Sequence, residues 1–142
     1  MDLFEVKLQH EKVDDNSGKQ KKVTEVYLVE AFTYSDAETV ANHIIEDYHL
    51  RNAKITGIKQ AKYNEIFSNA SEELDENFHW YKCKVEIDNG EGAKPSKNLM
   101  LVLADSVSSA VFNLSTWMKG TMADWENISA EKTNIVEVVR KN

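Results

Sequence analysis

Slid along itself by 73 positions, the sequence meets its own pattern: Leu28-Val29-x-Ala31 falls on Leu101-Val102-x-Ala104. The same shift lays Ser35 on Ser108, Ala37 on Ala110, Ile55 on Ile128 and Lys59 on Lys132. The register runs without a gap from about Val26 to Tyr63. A chain of 142 residues that repeats at this spacing is expected to contain two like units. Each would be about 60 to 70 residues, too small to bury much surface alone.

The first unit opens with Phe4, Val6 and Leu8 alternating with Glu5, Lys7 and Gln9, the period of a half-buried strand. Asp14-Asp15-Asn16-Ser17-Gly18 reads as a turn. Lys22 to Ala31 is a second strand, apolar on both faces at Val26-Tyr27-Leu28-Val29. Ser35 and Glu38 have capping-box spacing, and Ala37, Val40, Ala41, Ile44, Ile45 and Tyr48 form one helical stripe. Ile55 to Phe67 reads as a third strand.

The second unit repeats that order. Tyr81, Cys83, Val85 and Ile87 alternate with Lys82, Lys84 and Glu86, and Asp88-Asn89-Gly90-Glu91-Gly92 turns the chain. Leu99 to Ala104 is a fully apolar strand, and a helix is expected from about Ser108 to Lys119. Gly120 stands where a left-handed helix cap belongs, and Ile128 to Val139 closes the unit. The expected fold is α+β: a tandem duplication of a β-β-α-β unit, antiparallel-rich, with six main strands, two main helices and internal pseudo-two-fold symmetry. It is read as one domain, residues 1–67 and 78–142 being the repeats and 68–77 an exposed acidic linker.

Several strings resemble a known family. They are Lys21-Lys22-Val23-Thr24-Glu25-x-Tyr27-Leu28-Val29, Ile58-Lys59-x-Ala61-Lys62-Tyr63-x-Glu65-Ile66-Phe67, Trp80-Tyr81-Lys82-x-Lys84-Val85 and Met118-Lys119-Gly120-Thr121-Met122-Ala123-Asp124-Trp125. The family is an uncharacterised domain of unknown function found in gut anaerobic bacteria and their phages. The resemblance spans nearly the whole chain. It implies a small intracellular single-domain protein and brings no catalytic residues.

Charge and composition narrow the chemistry. The net charge is −7, whereas nucleic-acid binding draws most of its affinity from cations set against phosphates. Cys83 is the only cysteine, so neither an internal disulfide nor a polythiolate zinc site can form. His43 and His49 are separated by about 600° of helix and diverge, and His10 and His79 read as surface or boundary residues. No phosphate-gripping or nucleophile-elbow motif is present. No catalytic residue, metal or cofactor is therefore expected. No apolar run reaches the length of a membrane span, so the expected setting is a bacterial or phage-infected cytoplasm, away from membranes.

What remains is a set of aromatic residues beside lysines. The loop Lys119-Gly120-Thr121-Met122-Ala123-Asp124-Trp125 joins a cation, a hydroxyl, a carboxylate and an indole. It is either a capped helix end with Trp125 packed on the core, or a ligand loop. In the second case Trp125 stacks on a planar ring while Lys119 and Thr121 meet a phosphate or sugar. Lys62-Tyr63 ends the third strand, and Trp80, Lys82 and Lys84 share one sheet face. The Trp80, Lys82 and Lys84 face serves an interface, a ligand bound by stacking and charge, or simple solvated surface. The candidate ligand-binding set is Lys62, Tyr63, Trp80, Lys82, Lys84, Lys119, Thr121, Asp124 and Trp125.

The expectation is a non-enzymatic, homo-oligomeric binding protein for a small anionic, nucleotide-like ligand. One version is a phage-encoded sponge for a nucleotide immune signal. The alternative is an acidic protein-interaction module with an anti-defence or regulatory role. Single-stranded nucleic-acid binding stands third, opposed by the charge. An enzyme relying only on a Lys, a Tyr and a carboxylate stays open.

Overall fold

A computed structural model describes residues 1–140 except Ala70 and Met122. The described chain is α+β, with two helices and two mostly antiparallel four-stranded sheets. It divides into two compact units: Met1–Ala61 joined by the segment from Ile135 onward, and Lys62–Asn134.

Unit 1 holds β1 (Asp2–Val13), β2 (Gln20–Ala31), α1 (Tyr34–Asp47), β3 (Arg51–Ala61) and β8 (Ile135–Val139). Its strand order is β3-β1-β2-β8; β1 pairs antiparallel with β2 and β3, and β8 runs parallel to β2. The expected alternation is realised: Phe4, Val6 and Leu8 are buried with Tyr27, Val29 and Ala31 against Ala37, Ala41 and Ile44 of α1. Val26 and Leu28, on the opposite side of β2, are buried as well. The β1–β2 turn is closed by Gly18 N donating to Asp14 O at 2.7 Å, with Gly18 at a φ of 71°.

α1 begins two residues earlier than Ser35 and Glu38 suggested. Its N-cap is Thr33, whose Oγ1 accepts from Asp36 N at 3.1 Å. It ends in a Schellman turn: Leu50 N donates to Ile45 O and His49 N to Glu46 O, with His49 at a φ of 51°.

Unit 2 holds β4 (Glu65–Phe67), β5 (His79–Ile87), β6 (Ser96–Ala104), α2 (Val107–Trp117) and β7 (Trp125–Lys132). The order is β4-β6-β5-β7; β5 pairs antiparallel with β6 and β7, and β4 runs parallel to β6. Tyr81, Cys83, Val85, Met100, Val102 and Ala104 pack against Ala110, Leu114 and Met118. The N-cap of α2 is Ser106, which accepts from Ser109 N at 3.1 Å. Gly120 has the expected positive φ, 89°.

Two expected strands are each two strands. Ile55 to Phe67 is β3 and β4, broken at Lys62–Asn64, and Ile128 to Val139 is β7 and β8, broken at Thr133–Asn134. The six main strands become eight among the described residues. In each break the chain leaves one unit for the other, so β4 follows β3 but belongs to unit 2, and β8 follows β7 but belongs to unit 1. In the expected linker, 71–74 and 76–77 form turns, with Asp75 and Glu76 exposed and Glu72 and Glu73 half-buried; Ala70 lies outside the described residues. Among the described residues no helix is long and apolar enough to cross a membrane.

Candidate functional site

All nine candidate ligand-binding residues fall in unit 2. Lys62 is exposed and Tyr63 half-buried just ahead of β4. Asn64 next to them anchors this entry, its backbone N donating to Leu99 O at 2.7 Å and its Oδ1 accepting from Leu99 N at 2.9 Å.

Trp80, Lys82 and Lys84 share the β5 face that points away from α2, as the alternation requires. Their environments differ. Trp80 is only 4% exposed, so the picture of an indole on an open sheet face gives way to a buried one. Lys82 Nζ pairs with Glu131 Oε1 at 3.1 Å across the β5–β7 ladder. Lys84 is exposed opposite Ser129. Lys119 and Thr121 are exposed after α2, and Met122 lies outside the described residues.

Asp124 and Trp125 are brought together with groups that periodicity did not single out. A cavity of about 370 Å³ is lined by Glu86, Asp88, Pro95, Asp124, Trp125 and Glu126. Glu86 stands directly opposite Glu126 in the β5–β7 register, and Ile87 opposite Trp125. Trp125 is partly buried and packs against the unit 2 core, while still lining the cavity. The rim is tied together: Asp88 N donates to Asp124 O at 2.8 Å, and Asp88 Oδ1 accepts from Gly90 N at 2.9 Å. Asn89 Nδ2 spans the turn to Lys94 O at 2.9 Å and Ser96 Oγ at 2.6 Å.

Four acidic residues line the cavity with Trp125 and Pro95; the register sets Glu86 and Glu126 on the sheet face opposite that of Ile87 and Trp125, which pack on the core, and Lys97 stands opposite Glu86 in the β5–β6 ladder. Like charges directly opposite in a ladder are unfavourable, and a cation between them relieves the repulsion. An organic cation also gains from an indole ring. Among the described residues no group of three or more His, Cys, Asp or Glu side chains is placed to hold a metal ion. Glu86, Asp88 and Glu126 escaped sequence reading because they meet only through strand register and a turn. The one local signal was the acidic residue at Glu86 in the strand's last outward position.

Unit 1 holds a second cavity, about 270 Å³, lined by Glu30, Ala31, Asp36, Thr39, Val40, His43, Val139 and Arg140. It also holds a polar network. His10, expected at a surface or boundary, is 2% exposed and its Nε2 bonds to Glu25 Oε1. Lys12 Nζ reaches Glu25 Oε2 at 3.3 Å, and the Tyr27 hydroxyl donates to Glu25 Oε1 at 3.5 Å. Burial alone would raise the Glu25 pKa; the His10 bond and the Lys12 charge outweigh it and hold the carboxyl below the ordinary glutamate value. The Tyr48 hydroxyl donates to Glu137 at 2.6 Å, which together with partial burial pushes its pKa up to about 12. Burial and the nearby carboxylates raise Tyr27 further. Such phenols stay protonated donors at neutral pH.

Cys83 is buried, and burial pushes its thiol up to about 11, away from nucleophilic reactivity at neutral pH. No curated protein matches the chain. The strings that carry the resemblance run from the first strand pair to Trp125, and the match is as broad as they suggest: the family described as Domain of unknown function (DUF4494) matches residues 2–141, and the chain belongs to it.

Proposed function

We propose that this protein works by binding, as an acidic interaction module whose unit 2 cavity receives a cationic group from a basic partner. The observation that carries this reading is the cavity lined by Glu86, Asp88, Asp124 and Glu126 together with Trp125. An anion is disfavoured there: Lys82 is engaged by Glu131, neither Lys84 nor Lys119 lines the cavity, and Lys97 opposite Glu86 leaves three further acidic residues in the lining. The net charge of −7 steers basic partners toward the chain at long range. The test is calorimetric titration with short lysine- and arginine-containing peptides at low and moderate salt. Binding is expected, weakened by salt, and lost in Asp124→Asn/Glu126→Gln. No heat with any cationic peptide at low salt, or unchanged binding by the double variant, overturns it.

A second reading, a small anionic or nucleotide-like ligand, is favoured by the unit 1 cavity. His43 and Arg140 line it, together with the acidic Glu30 and Asp36, beside the first turns of α1, whose backbone N–H groups favour negative charge. Its specific version is a cytoplasmic sponge for a nucleotide immune signal in a phage-infected bacterium. Thermal-shift screening against nucleotides decides it, since a ligand at a hundredfold its dissociation constant stabilises by about 2.7 kcal/mol. Stabilisation that disappears in Arg140→Ala supports it; no shift with any nucleotide removes it.

We also propose that the chain arose by doubling of one module. Support comes from the 73-residue offset and from strand orders that read alike, β3-β1-β2-β8 and β7-β5-β6-β4. Superposing β1-β2-α1-β3 on β5-β6-α2-β7 tests it; the absence of a common core would remove it.

A further inference from the structure

The face of the unit 1 sheet turned away from α1 gathers positive charge, in a chain with 24 acidic side chains against 17 lysines and arginines. The register sets Lys7 of β1 on that face with Lys22 of β2 and Arg51, Lys54 and Lys59 of β3. Ile55 and Ile58, next to Lys54 and Lys59 in β3, pack on the core with α1, which turns the lysines the other way. The carboxylates among these cations are Glu5 and Glu11, and both are engaged. Glu5 Oε2 lies 3.6 Å from Lys59 Nζ, and Glu11 Oε2 accepts from Asn52 Nδ2 at 2.9 Å. Among the described residues no carboxylate pairs with Lys7, Lys22, Arg51 or Lys54, and all of these are exposed.

Lysine commonly guards an outer strand, and the cations of β3 alone would be accounted for in that way. Lys7 has no edge to guard, because β1 is paired on both sides. A solvated face of mixed sign sets opposite charges across its ladders. Lys7 instead stands between Val26 and Gly57. A side chain at Gly57 would meet nothing within 4 Å, so the place beside Lys7 is open. Successive rows of the ladder are about 7 Å apart, and the face from Glu11 to Glu5 runs about 20 Å. Arg51, Lys54, Lys7 and Lys59 fall in successive rows along it. That step is comparable with the one between phosphates of an extended nucleic-acid strand. The register brings no aromatic side chain to this face on which a base could stack.

We infer that this face of unit 1 holds a single strand of nucleic acid by its phosphates, without reading its bases. Charge and spacing select the occupant. A basic partner is repelled, and a regular row of cations matches a polyanion whose charges repeat at a regular step. The net charge of −7 opposes the approach at long range, but the screening length at physiological salt is about 8 Å, shorter than the face. A bound strand therefore feels the local cations most. This surface is independent of both cavities and stands or falls separately from them.

The test is fluorescence anisotropy of a labelled thymidine strand of about 20 nucleotides, titrated with the full chain from low to moderate salt. A dissociation constant of about 10–100 µM is expected at low salt. Log affinity should fall against log salt with a slope of about −2 to −3, as for three or four phosphates neutralised on a single strand. An abasic strand of the same length is expected to bind within about threefold. Lys7→Gln/Lys54→Gln is expected to weaken binding about tenfold and to flatten the slope by about 1.4. Gly57→Glu, which has room for its side chain, is expected to weaken binding too. Lys94→Gln, exposed in unit 2, changes the net charge as Lys54→Gln does and is expected to leave affinity within about twofold. Circular dichroism verifies that each variant keeps the fold. No binding at hundreds of micromolar protein in low salt overturns the inference. So does an equal loss in Lys94→Gln and Lys54→Gln, since net charge rather than this face would then govern. An abasic strand that fails to bind overturns it, as does poly-glutamate or an anionic phosphatidylserine vesicle that binds as tightly as the oligonucleotide.

Discussion

At the scale of single residues, the most informative group is His10. Its position in β1 continues the inward series Phe4, Val6, Leu8, so it is buried where an apolar residue is ordinary. The structure meets the cost by placing Glu25 across the ladder, with Lys12 on the carboxylate's other oxygen. The Glu25 pKa is lowered in the folded state, so its contribution is present above the ordinary glutamate value and is lost as pH falls through the folded value. Urea midpoints of the wild type should therefore drop on acidification below about pH 4.5. Glu25→Gln should show a shallower drop and a lower midpoint at pH 7. Cys83 offers a second check. A thiol with its pKa pushed up to about 11 and no exposure should resist disulfide reagents in the native protein and react promptly in denaturant. Among the cavity carboxylates, Glu86 stands between Glu126 in one ladder and Lys97 in the other, so Glu86→Gln loses one unfavourable and one favourable pair and should change stability in chemical denaturation by less than about 0.5 kcal/mol, while weakening cationic peptides.

At the scale of elements, the alternation of Phe4, Val6, Leu8 and of Tyr81, Cys83, Val85 was legible because period two is a local property. The stripe of Ala37, Ala41 and Ile44 was legible for the same reason at period 3.6. The start of α1 was misplaced because Thr33 and Ser35 both precede an acidic residue by three, and only the chain's entry angle chooses between them. The end of α1 was not legible: the Schellman position is held by His49 rather than glycine. His49→Gly should stabilise by about 0.5–1 kcal/mol, because glycine escapes the left-handed penalty but loses more freedom on folding. Thermal and urea midpoints of the variant measure it, and the sign is the test.

At the scale of the whole molecule, the outer parallel strand of each sheet comes from the segment that follows the other unit's third strand. Unit 1 is therefore completed by the C-terminus. Ile135 and Val138 of β8 are buried, and Val26 to Val29 of β2 pair with this strand. Truncation after Asn134 should remove about 3–6 kcal/mol of aliphatic burial. Hydrogen exchange should then lose its protection in β2 before β5 and β6. Equal loss across both sheets, or none, would show that β8 is not what closes unit 1.

By itself the sequence determined which residues face inward, where the two helices lie and that the pattern recurs after 73 positions. These follow from side-chain direction, which each residue's neighbours set locally. Only the tertiary structure decided which sheet takes β4 and β8, that Trp80 is buried, and that Glu86, Asp88, Asp124 and Glu126 surround one cavity. Those outcomes depend on pairing between segments far apart in the chain. Register and partner choice are properties of two segments together, and neither segment carries them alone.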